Sequence, residues 1–408
     1  MDDRPKIRYL EAVPVEAEGQ KLIYLKDPEG LTDQGFAVSY HVYYLLTLFD
    51  GQHSIDDLAA AFNRKFDQST VNRQQIEELV LKMDEVYFLD SERYRQFRED
   101  GVAGFRAASL RQAAHAGAVY PNEADALRKM MDGFFLSPEG PGVPEATNGR
   151  APIRGLIAPH IDFNRGGPCF AWAYKALAEA PPPDIFFVFG TGHSARRSFV
   201  LSRKDFETPF GILKADQEVI DRLSHHVTED LFEDEFSHRS EHSIEFQTLF
   251  LKYLYPDRDI TFVPVLIGSF HEMVVEKCSP LASSSVSNFL EALRLTIEGL
   301  ESRVCFIAGV DFSHVGARFG DEEDLSETFI DRVEKSDQEL LKAAEAVDAE
   351  GFFDAIVREG DRNRVCGTSS IYTMLQAIEA ERGVVLKHDR TIDEKGQSLV
   401  SFASVAYY

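Results

Sequence analysis

Cysteine is scarce in this 408-residue chain. Its four cysteines, Cys169, Cys278, Cys305 and Cys366, form no CxxC pair. That spacing excludes a disulfide framework and a structural zinc knuckle. Long apolar runs are lacking too, and none approaches the ~18 residues a membrane span needs. Basic residues are outnumbered, 43 Lys and Arg against 68 Asp and Glu, for a formal net charge of −25. Nucleic acids and anionic membranes are bound through clustered cations, so neither is an expected partner. The opening MDDRPKIRYL has no apolar signal core, and a reducing cytoplasm is the expected location.

What remains is an ordinary globular composition, 44 % hydrophobic and 27 % charged. It is long enough for two or three domains. Residues 1–100 read differently from the rest. LIYL (22–25) predicts a short strand, and VSYHVYYLLTLF (38–49) repeats apolar residues at helical spacing. Ser54 with Asp57 three places on predicts a capped second helix. QQIEELVLKM (74–83) predicts a third, and VYFL (86–89) a returning strand. Strand, three helices and strand make a small winged-helix α+β pattern. The run Leu22–Leu89, centred on LLTLFDGQHSIDDLAAAF, resembles PqqD-type domains. Those bind leader peptides by strand addition, so the resemblance implies a bound peptide. A scaffold role is the alternative. DNA binding is disfavoured because residues 1–100 hold more acidic than basic side chains.

The second domain is expected over 101–408; a helical connection over about 91–112 and a helix at NEADALRKMMDGFF (122–135) come first, and beyond 152 the pattern turns to strand–helix alternation. IRGLIA, DIFFVFG, ITFVPVLIG and RVCFIAGV are strand-like, separated by helical stretches near 168, 215–224 and 241. A long helix near 325–347 and two more follow, then VVLKH and SLVSFASVAY, the last a candidate antiparallel strand. The expected fold is a three-layer α/β/α domain with a mostly parallel central sheet. SPEGPGVPEATNGRAP (137–152) reads as a surface loop.

Chemistry-bearing residues gather where the strands stop. His160 follows LIAP, with Asp162 just beyond it. His193 lies in FFVFGTGHS beside Ser194, and Asp311 and His314 follow RVCFIAGV. Strand carboxyl ends are where open α/β sheets bind ligands. Gly190 and Gly192 would allow positive φ or close approach to a ligand. Asp311 and His314, at i and i+3, would share one side if the chain turns helical there, and the carboxylate would then raise the imidazole's basicity. Glu241 and His242 enter a helix and could wall a pocket. Cys366 opens a helical segment, where a thiolate is favoured. Two His plus Cys, Asp or Glu is the ligand set of an open catalytic metal site.

Nine segments in order then carry a family resemblance. They are HAGAVYP (115–121), IAPHIDFNRGGPCFAWAYKAL (157–177), FVFGTGHS (187–194), TPFG (208–211), EHSIEFQ (241–247), FVPVLIG (262–268), VDFSHVGARF (310–319), VCG (365–367) and SFASVAY (401–407). From Ala108 to Tyr408 the chain resembles the Memo family, known in bacteria as protein B of a system with a radical-SAM protein and an AMMECR-type protein. The resemblance implies a fold shared with class III extradiol dioxygenases. It implies His160, His193 and Cys366 as ligands of one transition metal, Fe(II) or Cu before Zn. It makes His314 the acid/base, with Asp311 orienting it. Asp162, Ser194, Glu241 and His242 become pocket residues. The implied chemistry is redox or oxygen-dependent. A peptide-binding module with a vestigial site and a zinc hydrolase are the alternatives. The chain departs from the family's pattern with Asp162 in PHIDF, with Ser194 after His193, and with Thr-Ser-Ser after Gly367.

Overall fold

A computed structural model describes residues 3–17, 19–32, 35–66, 70–145 and 151–408. It divides into two compact units, one ending at Ala107 and one running from Ala108 to Tyr408.

In the smaller unit an antiparallel meander precedes the helices. Strands β1 (Glu11–Ala17), β2 (Gln20–Lys26) and β3 (Phe36–Ser39) pair in that order. The expected LIYL strand is the middle of β2. The Ser39 hydroxyl accepts the Val42 N–H and starts α1 (Tyr40–Thr47). Ser54 and Asp57 form the expected capping box on α2 (Ile55–Lys65). Asn72 and Gln75 form another on α3 (Arg73–Glu85). The helices bury Leu46, Leu58, Ile76 and Val80 with Phe88 in a separate core. The strand expected at 86–89 does not form. Tyr87 takes a left-handed φ of 62°, and Leu89 alone bridges Ile7. The helices therefore follow three strands instead of standing between two. Helix α4 (Glu92–Ala107) ends the unit.

The larger unit begins with β4 (Leu110–Arg111), α5 (Ala124–Leu136), β5 (Gly155–Ala158), α6 (Phe163–Ala178) and β6 (Ile185–Thr191). Next come β7 (Phe199–Leu201), β8 (Asp205–Thr208), β9 (Gly211–Ala215), α7 (Gln217–His225) and α8 (His242–Leu254). They lead to β10 (Thr261–Ile267), α9 (His271–Glu276), α10 (Ser284–Ile297), β11 (Val304–Gly309) and β12 (His314–Val315). The chain closes with α11 (Glu327–Glu345), α12 (Ala349–Glu359), α13 (Thr368–Ala377), β13 (Gly383–Ile392) and β14 (Leu399–Tyr407). No described helix is long and apolar enough to cross a membrane.

The sheet's centre is parallel, in the order β5-β11-β6-β10. Its strands are continuous apolar runs, as burial on both faces requires. Strand β14 joins antiparallel to β5. It is buried throughout, despite its alternating sequence. A Cβ on Gly155 would press on Met374 and Ile378 at the end of α13. One on Gly309 would strike Ser243 and Gln247 of α8. Gly155 pairs with Phe306, three residues before Gly309, so the two glycines face opposite ways. Helices α8 and α13 thus cover opposite faces, giving the three layers expected.

Several details differ from the sequence reading. Helix α6 begins at Phe163, not near 168, and carries Pro168 inside its second turn. Short strands β7, β8 and β9 and helices α9 and α10 were not anticipated. TPFG is the tight turn between β8 and β9, where Gly211 has φ 112°. The loop expected over 137–152 lies partly outside the described residues.

Candidate metal centre

Because β11 inserts between β5 and β6, three adjacent strands end side by side. After β5 comes His160, after β11 Asp311, and after β6 His193. Helix α8 brings a fourth group, since Glu241 is its N-cap and His242 its first residue. Ligand atoms of His160, His193 and His242 lie within 4.8 Å of one another. Among the described residues this is the set of His, Cys, Asp and Glu close enough to share an ion.

Hydrogen bonds set the tautomers. His160 Nδ1 donates to the Gly309 carbonyl at 3.0 Å, which leaves Nε2 with a lone pair. His193 Nδ1 donates to the Glu241 carboxylate, 3.0 and 3.1 Å from its oxygens. His242 Nδ1 stands 3.2 Å from Glu241 Oε1. One carboxylate therefore orients two imidazoles, the arrangement that fixes ring position and raises ligand basicity. Glu241 also accepts the backbone N–H groups of His193, His242 and Ser243. Burial alone would raise its pKa. The flanking His193 and His242 and these N–H groups instead hold it well below the usual carboxylate range.

His160 and His242 are neutral near pH 7. Burial, with His193 and His242 beside it, pushes His160 well below its ordinary value. Burial brings His242 down to about 4. Neutral imidazole is the ligand form.

Clamps on α8 explain the EHSIEFQ segment residue by residue. Ser243 Oγ donates to the Thr191 carbonyl at the end of β6. Gln247 Nε2 donates to the Pro159 carbonyl beyond β5. Glu245 is fully buried and pairs with fully buried Arg111. It also accepts Tyr120 Oη and the backbone N–H groups of Ala114 and His115. Arg111 reaches on to the carbonyls of His238 and Glu241. The HAGAVYP loop is thereby tied to the helix that carries His242. Sequence reasoning missed Arg111, Glu245 and Gln247. For the last two, polar residues set among the apolar Ile244, Phe246 and Leu249 of α8 were the available signal. Gly190 and Gly309 keep negative φ; their value here is room, since a Cβ on Gly190 would sit 2.4 Å from Ser243 Oγ.

The expected roles are redistributed. Cys366 reaches the edge of the cluster, its Sγ 3.4 Å from His160 Nε2 and 3.4 Å from the Asp311 carbonyl. It is not one of the three mutually close donors; His242, expected as a pocket residue, is. Burial and the nearby Asp311 push the Cys366 thiol well up, against the expected thiolate. Gly367, not Cys366, caps α13. Residues 310–313 are not helical, so Asp311 and His314 do not share a face. Asp311 Oδ1 instead accepts the N–H groups of His160 and Ile161, and Oδ2 lies 3.7 Å from His160 Nε2. Burial, opposed by those two N–H groups, lifts its carboxyl to about 7. His314 Nδ1 donates to the Phe312 carbonyl, and burial lowers the ring to about 4, not upward as expected. Asp162 turns to Arg165, and Ser194 sits in the turn after β6. Cys169, Cys278 and Cys305 do not belong to the cluster.

A buried neighbour makes a pH test possible. His238 is 1 % exposed, donates Nε2–H to the Val200 carbonyl and leaves Nδ1 without a partner. Burial holds it at about 4, against about 6.5 when unfolded. Between these values the unfolded state binds the extra proton, so stability falls as pH drops below 6.5 and levels near 4. The loss is about 1.4 kcal/mol per pH unit. Asp311, raised to about 7, acts with the opposite sign. The difference between wild type and His238→Leu isolates one histidine. Urea unfolding at pH 6 and pH 5 should show the wild type losing about 1.4 kcal/mol more than the variant. Equal slopes would contradict a neutral buried His238.

Comparison with known proteins places the chain. A family model described as Memo-like protein matches residues 111–406. A MEMO1 family protein of Aquifex aeolicus is 26 % identical over 99 % of this chain and 100 % of its own length. One from Methanopyrus kandleri is 29 % identical over 73 % of this chain and 98 % of its own. Another from Methanosarcina barkeri is 28 % identical over 72 % and 99 %. The archaeal relatives are thus nearly complete within about three quarters of this chain, while the Aquifex relative also matches the smaller unit.

Proposed function

We propose, from the premise that this chain belongs to the Memo-like family, that it binds one transition-metal ion through His160, His193 and His242 and supports a redox or oxygen-dependent reaction there. The observation that carries the reading is the convergence of three imidazoles whose ring orientations are set by Gly309 and Glu241. That donor chemistry fits a resident ion, since three nitrogen ligands leave an open position for substrate. Fe(II) or Cu would supply electron transfer or oxygen activation when bound. The chain's own residues do the remainder. Glu241 orients two rings. Asp311 holds the His160 backbone in place and stands ready to hold or release a proton beside it. Cys366 offers a thiol at the rim, a soft group that suits Fe or Cu better than Mg or Ca.

The same reading includes cytoplasmic work with a radical-SAM and an AMMECR-type protein, and peptide capture by the smaller unit. The exposed strand β1, at the edge of its sheet, supports the last of these. A specific observation favours a second reading. An all-histidine set is also a catalytic zinc set, which would activate water for hydrolysis.

Metal analysis of anaerobically purified protein, followed by oxygen-uptake assays after loading with Fe(II), Cu or Zn, tests the proposal. About one Fe or Cu per chain with metal-dependent oxygen uptake is expected. Zinc alone, with no oxygen uptake, would favour hydrolysis.

A further inference from the structure

The start of α13 lies beside the candidate centre with first-turn donors that no described residue uses. A cavity of about 310 Å³ opens beside the cluster, with His193, Cys366, Thr368 and Ser369 among its lining. Thr368 and Ser369 are the first two residues of the ten-residue helix α13. Its cap, Gly367, has no side chain to satisfy the first-turn N–H groups. Thr368 N–H bonds back to the Val365 carbonyl. Ser369 N–H and Ser370 N–H have no partner among the described residues. An uncapped helix start carries partial positive charge and aimed donors.

The side chain of Ser369 points the same way. It is 2 % exposed, yet its hydroxyl donates to nothing and accepts from nothing among the described residues, unlike its neighbours. Thr368 Oγ1 donates to the Val365 carbonyl, Ser370 Oγ to the Gly190 carbonyl and Thr373 Oγ1 to the Ser369 carbonyl. The residue is almost wholly buried while its unpartnered hydroxyl is left to the cavity it lines, where a ligand can supply the missing bond. The rest of the lining sets one carboxylate, Asp361, against His271 and Arg364. Arg364 is paired to Asp321. The lining carboxylate, Asp361, accepts the Val365 N–H.

We infer that the start of α13, through Ser369 Oγ and the N–H groups of Ser369 and Ser370, binds the carboxylate or phosphate group of a small anionic substrate and presents the rest of that molecule to the histidine cluster. This rests on the proposed metal centre for its purpose but not for its binding. Helix starts with free N–H groups hold such oxyanions. The cavity suits a small molecule and not a folded partner.

The probes are inorganic phosphate and succinate, titrated by calorimetry against the full chain, metal-loaded and metal-free. Binding in the millimolar range or tighter is expected for at least one of them, and whichever binds more tightly identifies the oxyanion. Ser369→Ala should weaken it about tenfold, through loss of one charge-assisted hydrogen bond. Ser369→Asp, which places a carboxylate at the same helix start, should abolish it. Both variants should keep the wild-type metal content and thermal midpoint; if Ser369→Asp fails to fold, Ser369→Ala carries the test. Anion binding that survives in metal-free protein and follows Ser369 upholds the inference even if the metal reading fails. Binding lost on His160→Ala but indifferent to Ser369 would place the anion on the metal and overturn it. No binding of either probe at about 10 mM would overturn it as well.

Discussion

Arg111→Met is expected to cost about 3–5 kcal/mol of stability in the larger unit, since it leaves the Glu245 carboxylate buried without its counter-charge. Both side chains are fully buried, and Glu245 is held ionised against its burial by Arg111 first and His115 next. Burial of this kind is tolerated because every polar atom is used. Arg111 serves the carbonyls of Gln112, His238 and Glu241, and Glu245 serves Tyr120, Ala114 and His115. Removing one partner breaks the set at its centre. Arg111→Met with Glu245→Leu should recover part of the loss, because two apolar groups no longer strand a charge. Recovery will be incomplete, as Tyr120 and two N–H groups lose their acceptor. The chain's single tryptophan, Trp172, lies in α6, so its fluorescence during urea unfolding reports the larger unit. A loss under 1 kcal/mol for Arg111→Met would mean that Glu245 takes up a proton cheaply or that water enters.

Ligand substitutions carry the second large effect. His160→Ala, His193→Ala and His242→Ala should each empty the site, whereas Cys366→Ser and His314→Ala should retain about one ion per chain. The distinction follows from geometry. His242 is one of the three mutually close donors, while Cys366 holds a proton and shares it between His160 Nε2 and the Asp311 carbonyl. Glu241→Gln should weaken the metal about 10- to 100-fold without emptying the site, because it loses the charge that orients His193 and His242. Metal content by mass spectrometry, with competition against a chelator for affinity, reads all six variants. If Cys366→Ser loses the ion and His242→Ala keeps it, the thiol is the third ligand and the cluster rearranges on binding.

The fold was legible in the residues because local rules and the global fold agree over most of the chain. Short continuous runs such as IFFVF and VCFIAG, rich in aromatic and β-branched residues, read as strands buried on both faces, and Ser54 with Asp57 marks its helix start unaided. His160 and His193 were legible for the same reason, as polar residues where such runs stop. What failed was decided at a distance. VYFL has strand composition, but the turn at Tyr87 leaves it a single bridge. Asp311 and His314 looked like a pair by spacing, and the chain stays unwound between them because Asp311 is claimed by the His160 and Ile161 N–H groups.

By itself, then, the sequence determined a two-unit chain with a parallel α/β sheet, a family and two of the three clustered histidines. Tertiary structure alone decided the third. Nothing local distinguishes His242 from a pocket wall or Cys366 from a ligand. His242 is brought within reach of His160 and His193 by strand order, which sets β11 between β5 and β6, and by the Arg111–Glu245 pair and the Ser243 and Gln247 clamps, which seat α8 over the strand ends. Those contacts join residues as much as 134 positions apart. Helical and strand periodicities reach only a few residues along the chain, so no local pattern carries them.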